Sequence, residues 1–342
     1  MESFWNTKIL SKVPRRLWIL LVPTYYDKSE YTDISSNYTT IEYLRSQENS
    51  TTENPSILFL SAIAGKDSYG PERKIHDFIA VLNTIAENQD SLHINMALLC
   101  NDFHELQNVI TYIESKSETL SQVYGKITII SAPFLDKNQG FARDQRKAPQ
   151  SQRLRRRMIA RTRNFLLLNS LRHEQYTLFV DSDIIEFEHP ETFLLTFIKT
   201  NKDIIVPRIP VAGNPDYDLN SWRGQRRKPT EEQLKLLDVE NREDFHYYPE
   251  EADIPGKVWH FKEYIANTNN EYEEHKDEYE YLVPLDSVGG AVLFAKSIVY
   301  KQGAIFPTSY IVGTTWDRSE GYDGIETEGL CYLAKPLGYS CW

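Results

Sequence analysis

From residue 57 onward, short apolar runs alternate with stretches in which apolar side chains recur every three or four positions. Ile57-Leu-Phe-Leu60 predicts a first strand, and Ile75, Phe78, Ile79, Leu82 and Ile85 predict an amphipathic helix after it. The cycle repeats with a strand over residues 94–99 ending at Asn101-Asp102. A helical stripe of Phe103, Leu106, Val109, Ile110 and Ile113 follows, and then a third strand over 127–130. A basic helix over 154–171 leads into a fourth strand, Tyr176-Thr-Leu-Phe-Val180. Phe193, Leu194 and Phe197 mark a short helix, and Asp203-Ile-Ile-Val-Pro207 a further strand. Such alternation predicts an α/β fold, a mostly parallel sheet with helices on both faces. No internal repeat interrupts it.

Two regions depart from this rhythm. Residues 24–56 are rich in Ser, Thr, Asn, Glu and Tyr and read as a stem or linker. They contain two glycosylation acceptors, Asn37-Tyr-Thr39 and Asn49-Ser-Thr51. Residues 208–284 are polar and aromatic, with six acidic residues among 271–280. They read either as a solvated insertion or as an acceptor-side lid. The regular pattern resumes at Ser287-Val-Gly-Gly-Ala-Val-Leu-Phe294. Ahead of the stem, residues 1–23 carry Arg15-Arg16 and the apolar run Leu17-Trp-Ile-Leu-Leu-Val22. Six residues fall far short of the roughly 20 that a membrane-spanning helix requires.

Composition narrows the classes. The 342 residues allow a sizeable core, and a net charge of −11 disfavours broad affinity for nucleic acid or anionic membranes. Cys100, Cys331 and Cys341 are too few and too irregular for a disulfide framework or a zinc site, and they leave the redox compartment open. No Gly-x-Ser-x-Gly, Walker loop, GxGxxG or HExxH occurs, which withdraws support from serine hydrolase, P-loop, dinucleotide and zinc-protease readings.

The candidate chemistry is acidic and basic. Asp181 and Asp183 follow the fourth strand, and continued strand alternation would point both the same way at a carboxyl end, where open α/β sheets bind ligands. Paired hard oxygen donors suit Mg²⁺ or Mn²⁺. Arg153, Arg155, Arg156, Arg157, Arg161 and Arg163 crowd eleven residues. They read as a carboxylate-paired or solvated face, or as a clamp on phosphates. Asp102 ends the second strand and faces the ligand crevice or caps the next helix. Asp286 precedes Gly289-Gly290, where backbone can approach a ligand closely. Glu326 and Glu328 open the last helix, where the helix dipole favours carboxylates in any case.

The order of these pieces resembles a known family. The segment from Phe141 through Arg161-Thr-Arg163-Asn164, then Val180-Asp-Ser-Asp183-Ile and Asp203-Ile-Ile-Val-Pro207, resembles the fungal Golgi mannan-polymerase α-mannosyltransferases, glycosyltransferase family 62. Tyr217-Asp-Leu-Asn-Ser-Trp222, Leu285-Asp-Ser-Val-Gly-Gly290 and Glu326-Thr-Glu328-Gly-Leu look like further family motifs, so the likeness covers about residues 57–342. The resemblance implies a GT-A-type, Rossmann-like catalytic domain over 57–342. It further implies GDP-mannose as donor, Mn²⁺ (or Mg²⁺) as cofactor, and retaining transfer that extends the α-1,6-linked outer chain of N-glycans. It implies a type II Golgi membrane protein in a hetero-oligomeric complex, acting on a mannose-containing acceptor. By position, Asp181 and Asp183 match the metal motif, Asp102 a nucleoside-binding aspartate, and Arg161 and Arg163 the segment beside the donor diphosphate. Asp286 and Glu326 match active-site carboxylates.

In that family the chain runs on past the position of Tyr339 to a histidine that completes the metal site, whereas this sequence ends at Trp342. Residues 223–284 are also longer and more acidic. These departures keep a second reading open, a catalytically weak scaffold subunit. A nucleotidyltransferase would share the paired aspartates, but Ala62-Ile-Ala-Gly-Lys66 carries one glycine where an NTP loop needs several.

Overall fold

A computed structural model describes residues 25–46, 54–135 apart from 88 and 90, 149–211, 281–308 and 324–342, with shorter pieces at 218, 220–223, 231–236, 240, 259–260, 275 and 278. The apolar run 17–22, the second sequon, the segment from Phe141 to residue 148, Tyr217 and most of the acidic stretch 271–280 lie outside the described residues.

The expected elements form. Strands β3 (Ser56–Ile63), β4 (His93–Cys100), β5 (Tyr124–Ser131) and β6 (Tyr176–Val180) stand side by side in the order β5-β4-β3-β6, all parallel. Their alternation divides two cores. Ile57 and Phe59 of β3 pack on one face against Phe78, Ile79 and Leu82 of α1 (Ile75–Ala86) and Phe193 and Leu194 of α5 (Pro190–Thr200). Leu58 and Leu60 pack on the other face against Leu166 and Leu167 of α4 (Pro149–Ser170). Runs buried on both faces are what a parallel strand covered by helices requires. Helix α2 (Phe103–Ser115) starts where Asp102 Oδ1 accepts the Glu105 N–H at 2.8 Å, and the short α3 (Ser117–Val123) links it to β5.

The sheet is mixed rather than mostly parallel. Of its seven pairings, three are parallel and four antiparallel, because both flanks turn back on the centre. On one side β10 (Val292–Lys296) runs antiparallel to β6 and to the two-residue β7 (Ile204–Ile205), while β8 (Trp222–Arg223) and β9 (Trp259–His260) pair outside this sheet.

On the other side lies the stretch that reads as a stem. Residues 26–45 form a hairpin, β1 (Tyr26–Asp33) and β2 (Tyr38–Arg45), and β2 pairs with β5. Only Tyr26, Ile41 and Tyr43 of the hairpin are buried. The Thr and Tyr residues elsewhere favour strand conformation without making an apolar run.

One disulfide forms, between Cys331 and Cys341, while Cys100 is buried and free. The chain turns back through Gly338, at φ +87°, and residues 340–342 then lie beside β7 and Leu285. That return brings together two cysteines whose spacing alone suggested no pairing. No helix among the described residues is long and apolar enough to cross a membrane.

Candidate active site

The connection from β3 through α1 leads to β4 on one side. The connection from β5 through α4 leads to β6 on the other side of β3, with α4 on the opposite sheet face. β3 and β6 therefore flank a topological switch point, the position at which open α/β sheets bind ligands. Gly65 and Ser68 follow β3, Asp102 follows β4 and Asp181 follows β6.

Beyond Val180 the strand gives way to a turn. The Asp181 N–H donates to Ala291 O at 2.8 Å, and the Ile184 N–H donates to Asp181 O at 3.1 Å. The two-residue alternation expected of Asp181 and Asp183 does not apply in such a turn. Ser182 is buried and its hydroxyl donates to Ser68 O at 3.0 Å, while Asp183 is exposed.

Arg163 organises the carboxylates. It is 5% exposed, its Nη2 donates to Asp181 Oδ1 at 2.8 Å and to Gly290 O at 2.9 Å, and its Nε lies 3.5 Å from Glu326 Oε1. The guanidinium also stacks near Phe179 and Phe306, 5.5 and 5.7 Å from the ring centres. Arg163, expected beside the donor diphosphate, is thus buried against protein groups through Nη2 and Nε. Arg161 is exposed. Arg156 donates to Glu328 Oε2 at 2.7 Å and to Asn220 Oδ1 at 2.8 Å, and the Arg157 Nε donates to Thr308 O at 3.1 Å. The basic helix thus faces carboxylates and carbonyls along its inner side, and the side chain of Arg153 lies outside the described residues.

Asp218, which the Tyr217–Trp222 motif contains without marking it as a site residue, belongs to the site. A Cβ at Gly289 would collide with its carboxylate, and one at Gly290 would sit 2.7 Å from Arg163 Nη2. The two glycines therefore make room for Asp218 and Arg163 rather than for a ligand. The signal for Asp218 is its neighbour Asn220, whose N–H it accepts at 3.0 Å in a side-chain-closed turn.

Burial above all, with Asp183, Glu326 and Asp218 adding repulsion and Arg163 opposing, pushes the Asp181 carboxyl up to about 7. Some 48% of that side chain is exposed, so water moderates the desolvation behind this shift. Glu326 and Asp218 are likewise raised, chiefly by burial, with Arg163 pulling both down. Glu326 adopts φ +69°, a left-handed conformation that a residue with a side chain adopts only under constraint.

A family model described as Anp1 matches residues 35–310. The chain belongs to the Anp1 family. A relative in Schizosaccharomyces pombe, named mannan polymerase complex subunit mnn9, is 29% identical over 244 residues, 70% of this chain and 63% of the relative. The mannan polymerase I complex VAN1 subunit of Saccharomyces cerevisiae is 28% identical, over 59% of this chain and 34% of its own. The mannan polymerase II complex ANP1 subunit of the same yeast is 30% identical, over 54% and 33%. The chain thus spans between a third and two thirds of the length of these relatives. They bear out the resemblance to the fungal mannan-polymerase family. A solved structure of 4-diphosphocytidyl-2C-methyl-D-erythritol synthase from Anaerococcus prevotii covers 85% of this chain and 99% of its own, at 12% identity and a TM-score of 0.33, too slight a likeness to bear on fold or function.

Within this Anp1-family chain the structure brings together Asp181, Arg163, Glu326 and the unforeseen Asp218. Asp286 directly precedes Ser287, which bridges to Trp222, and its Oδ1 lies 3.8 Å from Lys335 Nζ. Asp102 caps α2, one of the two roles its position allowed. Among the described residues no group of three or more His, Cys, Asp or Glu side chains stands in metal-ligating array.

Proposed function

We propose that this chain is a metal-dependent, retaining α-mannosyltransferase that uses GDP-mannose to extend N-glycan outer chains in the Golgi, within a GT-A-type domain and a hetero-oligomeric complex. One observation carries the reading: in an Anp1-family chain, a turn bearing Asp181 and Asp183 stands at the sheet's switch point with more carboxylates than cations around it. The names of the three relatives given above, each a subunit of a mannan polymerase complex, support the product and the assembly. The Cys331–Cys341 disulfide supports an oxidising, secretory compartment.

The donor set fits a hard divalent cation such as Mn²⁺ or Mg²⁺. Asp181 and Asp183 would hold it, since both offer carboxylate oxygens and Arg163 offsets only part of the local negative charge. Charge stabilisation at the departing diphosphate is the chemistry such an ion supplies when bound. Arg163 keeps Asp181 and Glu326 at fixed separation, and Glu326, buried and strained, is placed to orient an acceptor hydroxyl or the transferred sugar. Asp102 and Arg161, exposed after β4 and on α4, remain the candidates for nucleoside and diphosphate contacts.

Replacing both Asp181 and Asp183 by Ala is expected to abolish GDP-mannose hydrolysis and transfer, and unchanged rates would sink the assignment. The lack of a third ligand among the described residues favours a scaffold as the second reading. Calorimetry with GDP and Mn²⁺ separates the two, since a scaffold binds neither.

A further inference from the structure

Arg73 joins the loop after β3 to the aspartate turn. Its Nη1 donates to Tyr69 O at 2.7 Å and to Asp183 O at 3.3 Å, and its Nη2 donates to Ile184 O at 2.9 Å. No carboxylate of the described residues lies within ion-pair distance of it. A planar guanidinium that spends its fork on three carbonyls fixes their relative positions in a way a point charge does not. The backbone leading to it is unusual, with Gly70 at φ +95° and Glu72, a residue with a side chain, at φ +60°.

Behind it the loop is anchored by a buried pair, the Tyr69 hydroxyl donating to Glu105 Oε1 at 2.6 Å. Ser182 makes the second tie, to Ser68 O. We propose that Arg73 is a positioning residue for the donor site: it locks the turn Asp181–Ile184 onto the β3 loop, so that both aspartates present their oxygens at fixed separation.

The inference rests on the donor-site reading above. Partners behind metal-holding groups typically matter about tenfold or more for affinity. Arg73→Ala and Arg73→Lys are both expected to weaken Mn²⁺ and GDP binding about tenfold in calorimetry and to raise KM for the donor more than they lower kcat. Both should also speed amide hydrogen exchange at residues 182–184 while leaving exchange in α1 unchanged. Unchanged binding and exchange in Arg73→Ala, or full rescue by Lys, would overturn the clamp. If the unsubstituted protein binds neither Mn²⁺ nor GDP, the donor-site reading fails, and the exchange experiment alone decides the clamp.

A different observation carries a modification site. The sequon Asn37-Tyr-Thr39 occupies the tip of the β1–β2 hairpin. Asn37 is exposed at φ +53°, and its side chain has no partner among the described residues. Asp33 closes the turn by accepting the Ser35 hydroxyl at 2.6 Å and the Ser36 N–H at 2.9 Å. Ile34 in the same turn is 90% exposed, beside an open edge strand that invites pairing with another chain.

We infer that Asn37 carries an N-glycan that covers this tip, given the secretory location proposed above. The oligosaccharyl group would come from a polyprenyl-diphosphate donor: its C1–O bond breaks, a C1–N bond forms to Asn37 Nδ2, and the amide proton leaves to base. Peptide mapping after enzymatic deglycosylation in heavy-oxygen water should tag Asn37 in protein secreted by a glycosylating host, and Asn37→Gln should lose one glycan's mass. An untagged Asn37 beside an oxidised Cys331–Cys341 pair overturns the site. An untagged Asn37 with both thiols free overturns the secretory reading as well.

Discussion

Asp181-Ser-Asp183 and Glu326-Thr-Glu328 are the same pattern, two carboxylates separated by one small hydroxyl residue, yet they end in opposite electrostatic conditions. Both glutamates are buried, and each meets an arginine of α4: Glu328 at 2.7 Å from Arg156, Glu326 at 3.5 Å from Arg163. The aspartates share a partly exposed turn, where Arg163 meets Asp181 at 2.8 Å and Arg73 donates to the backbone carbonyl of Asp183 rather than to a carboxylate. The basic helix thus sets an arginine against each glutamate, while Asp183 has no arginine at ion-pair distance among the described residues. A ligand cation at the aspartates relieves a deficit, while at the glutamates it would compete with arginines already in place. Spacing alone does not distinguish a metal motif from a structural ion-pair cluster; the supply of partners does.

The sharpest break of this contrast is Arg163→Ala, which strips both pairs at once. Removing one partner of a buried ion pair typically costs about 3–5 kcal/mol, and here two carboxylates and a carbonyl lose their donor. Urea denaturation should show a loss in that range. Gly289→Ala comes next, because its methyl occupies the space of the Asp218 carboxylate. Overpacking of this kind costs about 1–3 kcal/mol and should also lower transfer by displacing Asp218. Glu328→Gln, which weakens one charged hydrogen bond to Arg156, is expected to cost about 2 kcal/mol in the same assay. If Glu328→Gln proves neutral while Asp181→Asn is strongly destabilising, the assignment of paired and unpaired clusters is reversed.

How much of this was legible depended on burial pattern. The strands β3, β4, β5 and β6 and the helices α1, α2 and α4 were readable because each is covered on a face that imposes a period on its apolar residues. The hairpin was not, since β1 lies exposed at a sheet edge and only Ile41 and Tyr43 alternate inward in β2. That Ile41-Glu-Tyr43 alternation was its one available signal. The antiparallel flanks were hidden for a related reason, as β7 is two residues long and β10 reads as apolar in either direction. At the site, Asp181, Arg163 and Glu326 were legible by type and order. Asp218 was not, because its place depends on two glycines some seventy residues away whose missing side chains admit it. The family resemblance places Asp286 among the active-site carboxylates, and in the structure its Oδ1 lies 3.8 Å from Lys335 Nζ.

The smallest effect tests the charge deficit directly. In the ion-free protein the Asp181 carboxyl lies near 7, above its ordinary value of 3.8, so between these two values the folded state holds more protons than the unfolded one. Stability contributed by this group is therefore fully present below about pH 4 and is lost as pH rises through about 7. Asp181→Asn removes that dependence. Its Tm relative to the unsubstituted protein, measured in chelator, should be nearly equal at pH 4 and should move upward as pH approaches 8. Glu326 and Asp218, raised as well, keep part of the slope in both proteins, which is why the difference between them is the quantity to read. A difference that shrinks with pH would mean that Arg163 already satisfies Asp181, and the turn would then have no need of a cation.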